Sequence, residues 1–317
     1  MSKHVRLGPG REFDAVRALV GAWGSSAVGI GDDGALLDVP AGSRLVVSTD
    51  STVQDVHFRR EWLEPAEIGW RATMAALSDL AAMGASPLGL LLALTVPDDW
   101  RAALPAIASG VGAAAAHTGT PIVGGDLTTG ERLSLAITVL GHTPRPLARS
   151  AARPGDTLYL TGALGGPGAA LAAWRRGGRP RAEDRARFAH PEARLDAGTW
   201  MVRQGAHAAV DISDGLAGDA RHLAAASGVR CVLDLDAVPC APGVPVREAL
   251  VSGEEYELLV AAPALDVTAF AAAHRGLALH AVGRVEAMPG DAAGELVAEE
   301  GGQRVALPGG HDHFAAP

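Results

Sequence analysis

Between Gly141 and Gly155 the chain reads GHTPRPLARSAARPG, with three prolines and three arginines in one short stretch. Proline removes a backbone donor and fixes φ, so a long helix or a central strand tolerates such a segment poorly. The break divides 317 residues into two parts of ordinary domain size. Two domains are expected, 1–145 and 146–317.

Within each part, apolar alternation and β-branched residues mark strands and longer periodic stretches mark helices. The first part predicts strands at Leu45–Ser48, Leu90–Val96, Pro121–Val123 and Leu133–Leu140, with helices over Pro65–Met83 and Trp100–Ala116. After the break, strands are expected at Thr157–Thr161, Arg230–Asp234, Glu257–Ala261 and Leu277–Val285. Helices are expected at Gly168–Arg175, from Asp214 to about Ala226, and at Leu265–His274, with a charged stretch between Arg175 and Arg194. The elements mix without a strict βαβ period, so the expected class is α+β.

A formal net charge of −9 argues against a nucleic-acid partner, which needs a basic face. It does not argue against a phosphate substrate, because bound divalent cations invert the local field. Cys231 and Cys240 have no zinc-site spacing and form no disulfide framework, which points to a reducing cytoplasm. The charged, Gly/Pro-broken first residues are unlike a signal peptide, and the apolar run Leu88–Val96 is too short to span a bilayer.

The aspartates carry the chemistry. Asp32 and Asp33 follow Gly29-Ile30-Gly31, Asp50 follows Ser48-Thr49, Asp79 follows Ser78, Asp126 follows Gly124-Gly125, and Asp211 and Asp214 flank Ile212-Ser213. Any one of them reads as a turn former or helix cap, Asp214 above all as an N-cap, and Asp219 reads as a solvated helix residue. Asp79 is harder to dismiss, because a carboxylate among Ala75, Ala76, Leu77, Leu80 and Ala81 is buried unless paired or metal-bound. Five acidic segments with nearby hydroxyls suit Mg²⁺, a hard cation that bridges carboxylates to substrate phosphates. The sequence contains no Walker loop and no protein-kinase signature. A nucleotide is therefore expected to be held through Mg²⁺, glycine-rich backbone and a fixed cation such as Arg149.

Eight segments in order, GIGDDGALLDVP (29–40), STDSTVQDVHF (48–58), LSDLAAMGASP (77–87), GGDLTTG (124–130), RSAARPGD (149–156), VDISDGL (210–216), SGEEYEL (252–258) and GHDHF (310–314), resemble the thiamine-monophosphate kinase family. The family lies in the aminoimidazole-ribonucleotide-synthetase-like superfamily. The resemblance implies two α+β domains, an N-terminal one that binds ATP and Mg²⁺ and forms a dimer interface, and a C-terminal α/β sandwich that completes the active site. It implies a homodimer, with ATP and thiamine monophosphate as substrates and direct in-line phosphoryl transfer to give thiamine diphosphate. Carried over by position, it assigns Asp33, Ser48, Thr49, Asp50, Asp79, Asp126, Asp211 and Asp214 to several Mg²⁺ ions. Gly125, Asp126, Arg149 and Ser213 match nucleotide contacts, and His57, Glu254 and His311 match substrate contacts. Asp32 stays open beside Asp33.

The chain departs from the family pattern in places. The usual GGED is Ser252-Gly253-Glu254-Glu255, Ala76 replaces an Asn, Leu127 replaces a Thr, and His311 stands where an aromatic is common. Glu255 reaches one methylene further than Asp, which suggests a reshaped acceptor end. Two other readings compete. A selenophosphate synthetase needs a reactive cysteine in its N-terminal segment, and here no Cys precedes Cys231. A non-catalytic phosphate-binding protein needs no such set of metal ligands, and clustered carboxylates repel one another.

Overall fold

Pro65 opens helix α2 (Pro65–Ala82), where its missing N–H is no loss. Just ahead of it, the Glu64 amide donates to Glu67 Oε2 at 2.8 Å, half of a capping box. The computed structural model containing this helix describes residues 10–289 and 294–307. The chain groups into two units, 1–80 with 86–144, and 81–85 with 145–317.

The first unit carries α1 (Arg11–Trp23), β1 (Arg44–Val53), most of α2, β2 (Ser86–Val96), α3 (Leu104–Thr118), β3 (Ile122–Thr129) and β4 (Ser134–Thr143). The four strands make one sheet in the order β1-β4-β2-β3, antiparallel except for the β2/β3 pair. Along β4, Leu135, Ile137 and Val139 are buried while their neighbours are half-buried, the alternation of a sheet covered on one face. Met74, Leu77 and Leu80 of α2 and Ile107 and Val111 of α3 are fully buried with them. At Gly110 an added Cβ would sit 1.9 Å from the Ala66 carbonyl oxygen, so α3 meets the start of α2 backbone to backbone.

The second unit carries β5 (Thr157–Thr161), α4 (Gly166–Arg175), α5 (Ala182–Ala189), α6 (Leu195–Arg203), β6 (Ala208–Asp211), α7 (Leu216–Ser227) and β7 (Val229–Asp234). It continues with α8 (Val246–Ala249), β8 (Leu258–Ala262), α9 (Val267–Ala273), β9 (Leu279–Ala287), β10 (Glu295–Glu300) and β11 (Gln303–Val305). Its seven strands run β11-β10-β7-β9-β5-β8-β6. β6 and β8 are buried at every residue, as strands covered on both faces are. The α+β class holds, and no helix among the described residues is long and apolar enough to cross a membrane.

Several boundaries differ from the sequence expectation, each for a physical reason. β1 runs on past Ser48 to Val53, because β4 pairs with it residue for residue from Arg44 to Val53. β3 runs through Gly124-Gly125-Asp126 to Thr129, because parallel pairing with β2 carries the glycines. The aspartates of both strands therefore lie within ladders rather than at strand ends. The helix expected over 100–116 splits into a 3₁₀ turn (Asp98–Ala103) and α3, with Pro105 in the first turn of the new helix. The charged stretch 175–194 contains α5, whose Phe188 and Ala189 are buried. β6, β10 and β11 are short and gave no clear pattern.

Candidate active site

In the first unit the acidic and hydroxyl side chains sort by sheet face. Ser48 pairs with Val139 and Asp50 with Ile137, in rows whose β4 members are buried. Thr49 pairs with Thr138 and accepts its hydroxyl at 3.1 Å, in the alternate rows. Asp126 lies in register with Ala93, which pairs with Ala136, itself opposite Ser51. Thr49 and Asp126 thus belong to the exposed rows and Ser48 and Asp50 to the covered ones.

Direct contact joins β1 to α2: Ser48 Oγ donates to Asp79 Oδ2 at 2.5 Å. Asp79 is half-buried and paired, the outcome its apolar surroundings required. Asp50 Oδ1 accepts the Ser51 amide at 2.7 Å. Ahead of them, Asp32 Oδ1 accepts the Asp33 amide at 2.9 Å in a local turn, and both side chains are exposed. His57 follows a turn with Asp55 at φ 64°, and its Nδ1 accepts the Val53 amide at 3.1 Å. In the neutral ring the proton then sits on Nε2. Gly125 is constrained by close approach, since a Cβ there would stand 1.9 Å from the Leu92 carbonyl oxygen.

In the second unit, β6 ends at the buried Asp211, and Ile212-Ser213-Asp214-Gly215 turns the chain into α7. Asp214 does not cap the helix, whose N-cap is Gly215 at φ 103° with no side-chain bond. Asp219 instead holds the turn that precedes the cap. Its Oδ2 accepts the amides of Ser213 and Asp214, both at 3.1 Å, from a side chain only 3% exposed. The reading of Asp219 as a solvated residue is thereby corrected. Burial, then the charges of Asp211 and Asp214, push its carboxyl up to about 7, against the two amide bonds. The signal was present in LAGDARHL, an acid amid small apolar residues, the argument that picked out Asp79.

The segment 252–257 lies against this turn. The Glu254 amide donates to the Ser213 carbonyl at 2.8 Å, the Tyr256 amide to the Ile212 carbonyl at 2.9 Å, and the Ile212 amide to the Glu257 carbonyl at 2.8 Å. Glu254 and Tyr256 both adopt left-handed backbone, φ 65° and 54°, and Tyr256 Oη donates to Glu254 Oε2 at 2.5 Å. Strained non-glycine backbone concentrates where a side chain must be aimed.

Ser252 and Glu255 are enclosed and paired with the chain rather than open to solvent. Both are 3% exposed. Glu255 Oε1 accepts the Gly165 amide and the Ser252 hydroxyl, each at 2.5 Å, while Ser252 Oγ accepts the Gly168 amide at 2.9 Å. The two departures are thus one arrangement that satisfies amides at the N-terminus of α4. Burial pushes the Glu255 carboxyl up to about 7, against those hydrogen bonds and Arg187. Glu257, two residues on, is fully buried yet held below the usual carboxylate range. Burial opposes this, but the charge and hydrogen bonds of Arg194, with Arg187 and Thr161, outweigh it.

Arg149 sits in a 3₁₀ turn (Arg149–Ala151) with its side chain exposed, and its carbonyl accepts the Ser227 hydroxyl at 2.6 Å. His311 and the GHDHF segment lie outside the described residues. Among the described residues no three His, Cys, Asp or Glu side chains form a cluster that could hold a metal ion. The donors within each unit are nonetheless all hard oxygens. The field of Asp211 and Asp214, felt at Asp219, is one that a cation would offset. That fits Mg²⁺, which keeps its waters and takes few protein ligands, rather than a cation that needs a complete cage.

Family models for the AIR synthase related protein match the chain twice, the N-terminal domain over residues 31–143 and the C-terminal domain over 153–294. The thiamine-monophosphate kinase of Salmonella typhimurium is 36% identical over 330 residues, covering 97% of each chain. The crystal structure of thiamine-monophosphate kinase from Stenotrophomonas maltophilia K279a matches with a TM-score of 0.78 at 32% identity, over 96% of this chain and 100% of that one. AaThiL complexed with AMPPCP and TMP matches with a TM-score of 0.75 at 28% identity, over 99% and 100%. On its two matched domains and its near-complete alignment with these enzymes, the chain belongs to the AIR synthase related family and, within it, to the thiamine-monophosphate kinases.

Proposed function

We propose that the chain transfers the γ-phosphoryl group of ATP to the phosphate of thiamine monophosphate, giving thiamine diphosphate and ADP. A phosphate oxygen of the acceptor forms the new bond to the γ-phosphorus, and the bond to the bridging oxygen of ADP breaks, in line and with no phospho-enzyme. The acceptor phosphate is already anionic and needs no general base. One observation carries the reading: the Ser213 carbonyl takes the Glu254 amide, so the nucleotide-matched and substrate-matched segments of the second unit are joined through backbone. A relative in the same fold is complexed with AMPPCP, an ATP analogue, and TMP, which supports the pairing of nucleotide and acceptor.

In this reading Asp33, Ser48, Thr49, Asp50, Asp79, Asp126, Asp211 and Asp214 hold several Mg²⁺ ions, which would neutralise charge on the phosphates. Gly125, Asp126, Arg149 and Ser213 meet the nucleotide, and His57, Glu254 and His311 meet the acceptor. Residues 1–145 form the ATP- and Mg²⁺-binding and dimerisation domain, and 146–317 complete the site. The homodimer reading draws on Leu45 and Val47 of β1, which are 50% and 55% exposed, apolar surface that an interface would cover. The protein works in the cytoplasm.

The test is direct. Purified protein with MgCl₂, ATP and thiamine monophosphate is expected to form thiamine diphosphate and ADP in equal amounts by chromatography, and excess chelator is expected to stop it. Unchanged thiamine monophosphate would sink the substrate assignment, and full activity in chelator would sink the metal-assisted route.

A further inference from the structure

Helix α7 reaches from the Ser213-Asp214 turn to the Arg149 turn. At its start Asp219 Oδ2 accepts the Ser213 and Asp214 amides, both at 3.1 Å. At its last residue Ser227 Oγ donates to the Arg149 carbonyl at 2.6 Å and accepts the Ala152 amide at 3.1 Å. One hydroxyl thus holds both the first residue of that 3₁₀ turn and the residue after it. The twelve residues of α7 span about 18 Å.

The helix itself is fixed. Leu216, Ala217, Ala220, Leu223 and Ala224 are fully buried, and the Ala217 amide donates to the Leu250 carbonyl at 2.9 Å. Gly228 at φ 64° ends it immediately after Ser227, with its amide returned to the last turn. A helix locked along one face and tied at both ends sets a fixed separation between the two turns.

We propose that Asp219 and Ser227 are positioning residues for the nucleotide, and that α7 is the rigid spacer that fixes Arg149 relative to Ser213 and Asp214. The proposal rests on the functional reading above, in which Arg149 and Ser213 meet ATP. Neither positioning side chain touches substrate. Each acts through a turn that does.

Steady-state kinetics on the full-length protein tests it, beginning with wild-type turnover of thiamine monophosphate. No wild-type turnover indicts the functional reading, so the variants probe α7 alone. Removing the Ser227 hydroxyl loses two hydrogen bonds, of which the one to the Arg149 carbonyl holds Arg149 itself, so Ser227→Ala is expected to raise KM for ATP roughly three- to tenfold. The expected change in KM for thiamine monophosphate and in kcat is under about twofold, on the same hydrogen-bond scale. Ser227→Thr keeps the hydroxyl and is expected to restore KM. In an Arg149→Ala background Ser227→Ala is expected to add nothing, because its effect passes through Arg149. Asp219→Asn keeps an acceptor for both amides and is expected to behave as wild type, whereas Asp219→Leu is expected to raise KM for ATP. If Asp219→Leu does not fold, the Ser227 series decides alone. An unchanged KM for ATP in Ser227→Ala, an effect additive with Arg149→Ala, or equal rises in both KM values would overturn the proposal.

Discussion

Acidic side chains dominate both units, but they are held differently. In the first unit Asp33 and Asp126 are exposed, and Asp79 meets a serine hydroxyl. In the second unit Asp219 is fixed by two amides and Glu257 by Arg194, Arg187 and Thr161. A carboxylate satisfied by its own chain is part of the framework, whereas one presented on a strand with hydroxyl neighbours is available to a cation and its phosphates. Residue type is the same in both places. The partner decides the role.

The largest expected effect breaks the framework side. Arg194→Met leaves Glu257 buried with a weakened counter-charge, and chemical denaturation is expected to show a loss of about 3–5 kcal/mol. An unchanged midpoint would mean that Glu257 is not held as described. Next comes the presented side. Asp126→Asn, at an exposed position of β3, is expected to lower kcat/KM about 10²–10³-fold, the scale for removing one preorganised electrostatic group, with the thermal midpoint unmoved. A large loss of stability in that variant would erase the contrast.

Smaller and sharper is the pH dependence at Glu255. Its carboxyl titrates at about 7 in the folded protein, against an ordinary value of 4.5. Between those values the folded state keeps a proton that the unfolded state has lost, so stability falls as pH rises through the window and levels off above it. Glu255→Gln is expected to remove the Glu255 share of that slope, raising stability at pH 8 relative to pH 4.5 by roughly 3 kcal/mol compared with wild type. Parallel curves for the two proteins would show that Glu255 is not the group responsible.

The sequence displayed much of this. The strands of the first unit, the helix from Pro65, and the acidic segments were visible because periodicity and glycine-flanked aspartates are local signals. Strand ends were not, since pairing with β4 and β2 extended β1 and β3 beyond their apolar runs and turned Thr49 and Asp126 to the opposite face from Ser48 and Asp50. The burial of Ser252 and Glu255 was not legible, because nothing local announces that their partners are Gly165 and Gly168, some ninety residues away. Ser227 was invisible for the same reason: its hydroxyl acts on a turn 78 positions earlier in the chain.

The left-handed backbone at Glu254 carries one more consequence. Glycine at that position would relax the conformation and is expected to raise stability by about 1 kcal/mol. The same change would delete the carboxylate that Tyr256 orients. On the proposed acceptor role of Glu254, a screen for thermal tolerance alone is expected to enrich Glu254→Gly while a screen for turnover rejects it.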